Sequence, residues 1–488
     1  MPRSAGFASY SPLPETVVLP DGEMRPELAD VGRLVRRGVR AVVGAARAEE
    51  QPRLSRILAG HLGGEVGALD VVEETWPGYD HVNVQAGLDA WLAVPGRSAE
   101  LVGVTHHQGV MFGLADLLAG GRHEEMHGLR PGNPASVNLA CGPDGAVRPC
   151  IRCGIYLVTE GDVRTAVLLR GAAPEFGQDH VSVQAMSTDP AAARSAARDI
   201  RAATLAENVF RGQVLSFGQE VFGHGRTLLQ FHRRPTMTAD QLILAPHTLA
   251  EVQRQVVDVA RHKERLLAAG QHLKRGLLLY GPPGVGKTHT VRYLTSSLSG
   301  TTVLQLTGHA LHLIAEACSV ARALQPAMLI VEDVDLIAED RGMHPGQHPL
   351  LFQLLNEMDG LAEDADVVFV LTTNRADLLE PALAARPGRV DQAVALELPD
   401  HVARRALFEL YRGTLDVDTS RLDDVLARTD GVTASFLKEL LRRAALVAAG
   451  RTPEADSIAV SADDLDAALE ELLDTRNAMT RTLLGSGG

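Results

Sequence analysis

The stretch "RGLLLYGPPGVGKTHTVRYL", residues 275–294, sets the class of the fold. An apolar run is followed by G-x-x-x-x-G-K-T and then by apolar residues at helical spacing, which reads as strand, glycine-rich turn, helix. Gly281, Gly284 and Gly286 let the chain turn tightly, so that its backbone N–H groups converge. The following helix adds the positive end of its dipole. Pro282, Pro283, Val285 and His289 complete the turn and its exit. Such a turn is a cradle for phosphates. Lys287 is placed to reach the β- and γ-phosphates of a nucleotide, and Thr288 to hold Mg²⁺. The alternative is a Gly/Pro-rich structural turn, against which the preceding strand and following helix both count.

Working outward, "MLIVEDVD" (328–335) puts four apolar residues before Glu332, Asp333 and Asp335. Acids clustered at the end of a buried strand repel one another and resist desolvation. A cation has to compensate them. With a nucleotide loop upstream, that cation is expected to be Mg²⁺ with its nucleotide, assisted by Lys287; the bland reading is a solvated pair of strand-end acids.

Further apolar runs, "GLLLYG", "TVLQLTG" and "DVVFVLTTN", alternate with helical stretches between about 242 and 400. This pattern predicts a parallel sheet covered on both faces. After Pro399 the chain turns helical, predicting a small helical domain over 401–475 and a disordered tail over 476–488. Upstream, residues 1–27 read as a flexible lead-in. Residues 28–235 mix helical and strand patterns and are expected to form an independent α/β domain. In it, a helix is read over 28–50, strands over 154–160 and 181–187, and a helix over 190–210 started by Pro190 after the cap Asp189. The join is placed at "FHRRPTMTADQ" (231–241).

Together these motifs resemble the AAA family within the AAA+ ATPases, over about 242–475. "GPPGVGKT" resembles its Walker A motif, and "LIVEDVDLIAEDRG" its Walker B motif with the segment after it. "LLNEMDGL" (354–361) resembles the segment leading to sensor 1, and Asn374 stands at the sensor 1 position. "ARPGRVD" (385–391) resembles the second region of homology, with Arg386 and Arg389 at the arginine-finger positions. "DGVTASFLKELLRRAAL" resembles the sensor 2 helix of the lid. The resemblance implies ATP and Mg²⁺ as cofactors, a homo-oligomeric ring, a hexamer by analogy, and a protein target or adaptor held by the N-terminal domain. It implies that Arg386 and Arg389 reach the neighbouring subunit's nucleotide; a local surface ion pair is the alternative.

The chain departs from the family in four places. The usual Asp-Glu order is inverted to Glu332-Asp333, as in the branch containing the mitochondrial Rieske-protein translocases. By position, Glu332 then serves Mg²⁺ through water and Asp333 polarises the attacking water. The segment between "LQLTG" and "AMLIVED" is short and lacks the aromatic-Gly pair of a pore loop, leaving His309 and His312. One residue is inserted before Arg386. Ala434 stands where these lids commonly have glycine.

Weaker signals lie in the N-terminal half. "RHEEMHG" (122–128) matches H-E-x-x-H, in which His123 and His127 would bind zinc while Glu124 acts as base. The flanking Gly120, Gly121, Gly128 and Pro131 make a polar loop the better reading. Cys141, Cys150 and Cys153 offer a half site for zinc, with His106 or His107 as a fourth ligand; small buried thiols in a hairpin are the better reading.

The net charge of −14 and the 4% aromatic content argue against a nucleic-acid binder. Four cysteines fit a reducing compartment. With no long apolar segment and no leader pattern, a soluble cytoplasmic protein without membrane partners is expected. The sequence leaves three functions open: a ring that remodels a protein or complex, a nucleotide-timed assembly scaffold or switch, and an ATP-dependent metalloprotease.

Overall fold

The computed structural model describes residues 53–63, 69–118, 126–219, 227–335, 349–362, 364–377, 390–451 and 457–474. The readings for 1–27, 28–50 and 476–488 lie outside these.

Strands β1 (Val71–Pro77), β2 (Arg97–Thr105), β3 (Arg130–Gly132), β4 (Ala135–Ala140), β5 (Val147–Glu160), β6 (Val163–Arg170) and β7 (His180–Ser187) form one sheet. Its order is β1-β7-β6-β5-β2-β3, with β4 on β5, and its pairings are antiparallel. The pleat sends alternate residues to opposite faces. Ile155, Leu157 and Leu168 enter one core with Leu54 and Leu58 of helix Leu54–Leu62. Tyr156, Val158, Val167 and Leu169 enter the other with Leu88 of helix His81–Leu92 and Ile200 of helix Pro190–Ala206. That last helix begins as its sequence requires: Asp189 Oδ1 accepts from the Ala191 N–H at 2.9 Å, and Pro190 fills the first helical position.

The second sheet contains β8 (Val214–Gln219), β9 (Thr227–His232), β10 (Arg275–Tyr280), β11 (Thr302–Leu306), β12 (Ala327–Val331), β13 (Val367–Thr373) and β14 (Gln392–Ala395), in the order β14-β10-β13-β12-β11-β8-β9. From β14 to β8 the pairings are parallel, and β9 closes the edge antiparallel to β8. Every residue of β12 and β13 is buried, which is why these strands read as unbroken apolar runs.

Strands β8 and β9 fall within the 28–235 segment, yet they extend the second sheet. Their junction is tightly held. Arg234 donates to the carbonyls of Thr295 (2.6 Å), Leu298 (3.0 Å), Gly212 (3.0 Å) and Thr301 (2.6 Å). Thr295 and Leu298 end the helix Lys287–Ser297, where a cation complements the negative end of the dipole. The "FHRRP" stretch is thus a staple on the second sheet's surface. The two sheets also share a hydrophobic cluster in which Val82 and Cys150 join Phe210, Leu215 and Phe217, and Tyr79 meets the Phe217 ring edge-on at 6.2 Å.

After β14, helices His401–Arg412, Leu422–Arg428, Ala434–Arg451 and Ala462–Leu473 pack around Phe408, Phe436, Leu440 and Leu469. Asp400 caps the first of them through the Ala403 N–H at 2.7 Å. Ile243, just ahead of helix Pro246–Val252, packs on this helical core, while Leu242 and Val252 pack on the sheet. Among the described residues no helix is long and apolar enough to cross a membrane.

Candidate functional site

The carboxyl ends of β10, β12 and β13 meet at one edge of the parallel sheet, where open α/β folds place their ligands. The loop 281–286 leaves β10 and runs into the helix that starts at Lys287. At Gly281 a Cβ would sit 2.3 Å from the Leu396 carbonyl oxygen, so only glycine fits against β14's exit. Gly286 takes φ 110°, the left-handed turn from which the helix starts.

Lys287 is buried, and its Nζ donates to the carbonyls of Gly281 (2.7 Å) and Pro282 (2.9 Å). Burial pulls its proton affinity below the ordinary lysine range, and the charges of Asp333 and Asp335 oppose that pull. A buried ammonium held only by neutral carbonyls of a glycine-rich loop is a donor suited to phosphate oxygens. Thr288 comes next on the helix's first turn, exposed. His289 is half-buried, and burial, then Arg292 and Lys438, keep its imidazole below the usual histidine range.

Beyond β12, the three acids differ in environment. Glu332 is half-buried; desolvation, then repulsion from Asp333, raises its proton affinity, and Arg292 partly offsets this. Asp333 is exposed and takes φ 52°. Its N–H donates to Thr372 Oγ1 at 3.1 Å, and its Oδ1 accepts from Asn374 Nδ2 at 3.4 Å. Asp335 is buried and accepts from Thr373 Oγ1 (2.8 Å) and the Asn374 N–H (3.3 Å). Asp335 thereby ties the end of β12 to the end of β13 and sets the backbone that presents Asn374. Sequence reasoning misses this role; a third acid two places after Asp333 is the only signal of it.

The helical domain closes on the loop from the other side. The Ser435 N–H donates to the Gly284 carbonyl at 3.3 Å, at the start of helix Ala434–Arg451. Thr433 Oγ1 and Ser435 Oγ lie where a Cβ on Gly284 would point. Sequence reasoning misses this lid contact too.

Other sequence candidates are dispersed or lie elsewhere. Arg386 and Arg389 are outside the described residues, as are His123 and Glu124. Cys150 and Cys153 lie on β5 on either side of an irregularity in its pairing with β4, and they enter different cores: Cys150 the cluster between the sheets, Cys153 the one with Ile155. Burial pushes both thiols up to about 12. They are buried thiols, not one ligand pair. Among the described residues no three His, Cys, Asp or Glu side chains gather to hold a metal. Residues 308–313 form a short 3₁₀ helix that runs directly into helix Ile314–Ala323, with Ala310, Leu311 and Leu313 buried and His312 exposed.

Residues 277–398 match the family described as "ATPase family associated with various cellular activities (AAA)". The chain is 37% identical over 225 residues to the ATP-dependent zinc metalloprotease FtsH 2 of Sphaerobacter thermophilus, covering 44% of this chain and 34% of that protein. It is 33% identical over 289 residues to FtsH 4 of the same organism, covering 56% and 43%. The FtsH of Bacillus subtilis is 29% identical over 233 residues, covering 45% and 36%. The chain therefore spans between a third and a half of the length of these relatives.

Proposed function

We propose that this chain, whose residues 277–398 match the AAA family of ATPases, is an ATP-hydrolysing ring that remodels or disassembles a protein or protein complex. The observation that carries the reading is the convergence of three strand ends: Lys287 of the loop feels the charge of Asp333, and Asp333 accepts from Asn374, with Glu332 next to it in the chain. The loop amides and Lys287 would hold the β- and γ-phosphates of ATP. Thr288 and Glu332 would hold Mg²⁺, Glu332 through water. Bound there, the ion supplies positive charge to the phosphate oxygens. Asp333 accepts the proton of the attacking water, and Asn374, within reach of Asp333, orients that water. An aspartate in this role is one methylene shorter than a glutamate; its left-handed backbone carries the carboxylate toward Asn374.

Arg386 and Arg389 complete the site of the neighbouring subunit, which makes hydrolysis depend on a ring, a hexamer in this reading. The N-terminal sheet, packed on the second sheet through Tyr79 and Phe217, is the element that meets a target or adaptor in the cytoplasm. Residues 308–323 are helical from the first turn, with Ala310, Leu311 and Leu313 anchored in the core, so they project no aromatic grip for threading a chain. The ring acts by moving its N-terminal domain.

The test is ATP turnover by the intact protein, then capture of its target with Asp333→Asn in the presence of ATP. Turnover at many ATP per subunit, accelerated by the captured protein, supports a remodeller. One slow turnover per assembly event, indifferent to any captured protein, would leave a nucleotide-timed scaffold instead.

A further inference from the structure

One cavity in the described residues lies away from the phosphate loop. It lies between the two sheets, has a volume of about 720 Å³, and shares no lining residue with 281–289, 332–335 or 374. That volume suits a small ligand. One wall comes from the N-terminal sheet, and the other from Phe210, from Leu229 on β9 and from Glu316 on helix Ile314–Ala323. Val82, Val137, Leu139, Phe210 and Leu229 make its body apolar, and Met111 and Phe176 stand at it 69% and 47% exposed.

Its charge is unevenly placed. Arg170, at the end of β6, is buried, yet its guanidinium meets only neutral acceptors: the carbonyls of Phe112 (2.6 Å) and Val110 (2.9 Å) and Gln178 Oε1 (2.7 Å). Arg152, on β5, is exposed and lines the same space. Among the described residues neither arginine is in ion-pair contact with a carboxylate. His107 lies beside them, and after burial it is the charges of Arg170 and Arg152 that lower its proton affinity, so the potential there is positive. His81 is held neutral by burial, at about 4, with Nε2 at 2.9 Å from the Ile151 carbonyl, so the positive charge comes from the arginines. The acids that line the cavity are the exposed Glu175 and Asp179 and, on the opposite wall, Glu316, which acts on Tyr79; Glu73 and Asp116 act on Arg170 from outside the lining.

We propose that this cavity binds a small amphipathic anion, a carboxylate or phosphate on an apolar body, with Arg152 receiving the anionic group and the apolar body lying against Leu139, Phe210 and Leu229. Arg170 sets the positive floor and fixes the 110–112 wall, while Arg152 keeps its guanidinium available for the ligand. Because the walls belong to both sheets, the ligand bridges the N-terminal sheet and the body that carries the nucleotide loop.

The experiment is calorimetric titration of the full-length protein with octanoate, octyl phosphate and octanol, each below its micelle threshold. At least one anion is expected to saturate at one per chain, with octanol at least tenfold weaker. The better anion identifies a carboxylate or a phosphate ligand. Arg152→Gln should weaken that anion at least tenfold, leave octanol unchanged, and leave the melting temperature and the binding of a fluorescent ATP analogue as they were. Equal affinity for octanol and the anions, no saturable anion binding, or an Arg152→Gln protein that binds the anion at full strength would each overturn the proposal. None of these readouts depends on ATP turnover, so the outcome is separate from that of the ATPase reading.

Discussion

Asn374 Nδ2 stands 3.4 Å from Asp333 Oδ1, linking the ends of two neighbouring parallel strands. Asp335 holds this arrangement from beneath, accepting from the Thr373 hydroxyl and the Asn374 N–H. The three residues divide the work that an acid run must do. One acid is satisfied by hydrogen bonds and is structural, one is half-buried with a raised proton affinity, and one is exposed beside an amide. In the reading proposed above, the exposed acid is the one that accepts the proton of the attacking water.

Asp333→Asn should therefore bind ATP and lose turnover by about 100-fold or more, the usual size of a general-base contribution. Glu332→Gln should instead weaken the Mg²⁺ dependence, seen as a higher metal concentration for half-maximal rate. Steady-state phosphate release at graded Mg²⁺ separates the two. Normal turnover in Asp333→Asn with a dead Glu332→Gln would reverse the assignment.

Lys287→Ala should weaken nucleotide binding by about 10- to 100-fold, the worth of a charge-assisted hydrogen bond in a buried setting. The fold should persist, because Nζ bonds only two carbonyls of its own loop. Fluorescent-nucleotide titration checks the affinity and circular dichroism the fold. Unchanged affinity would remove 281–288 as the phosphate site.

Distance along the chain decides how much of this was legible in the sequence. The phosphate loop is local: strand, glycines, lysine and helix are contiguous, and every one was readable. The parallel sheet was readable because strands buried on both faces spell continuous apolar runs. The placement of β8 and β9 was not, since nothing in "VLSFGQ" says which sheet edge it joins; that depends on β11, some ninety residues away. The C-x-x-C spacing reads as small buried thiols ahead of a zinc half site, and on β5 Cys150 and Cys153 are buried in different cores. The lid contact between Ser435 and Gly284 spans 151 residues and leaves no local pattern at all.

The helical lid should show its own acid sensitivity. Hydrogen bonds from Arg451, with further help from Ser461, hold the Asp464 carboxyl down at about 2, against an ordinary 3.8. A carboxyl whose folded value is depressed contributes stability above its unfolded value and loses it as pH falls through the folded one. Asp464→Asn should thus cost about 1–2 kcal/mol at neutral pH, the worth of a helix cap. The gap to the wild type should narrow as pH falls below about 4. Hydrogen exchange of residues 462–473 across that range checks it; a gap independent of pH would show that the charge of Asp464 contributes nothing.

The junction gives the last prediction. A cut after residue 235 looks natural from the sequence, but it would remove β8, β9 and Arg234 together. The edge of β11 would then be bare, with the backbone groups of Val303 and Gln305 that now pair with β8 open to other chains. The carbonyls of Thr295, Leu298, Gly212 and Thr301 share one guanidinium, so the end of the helix leaving the phosphate loop would also lose its cation. Residues 236–488 should therefore aggregate or melt well below the intact protein. Residues 208–488, which keep the strand pair and its staple, should remain soluble and bind nucleotide. Arg234→Ala in the full chain should fall between them, lowering the melting temperature by several degrees without touching the phosphate loop. Light scattering and nucleotide titration of the two truncated proteins decide the matter. If residues 236–488 stay monomeric and bind nucleotide as well as residues 208–488, the added strands are an ornament on the sheet and not part of its foundation.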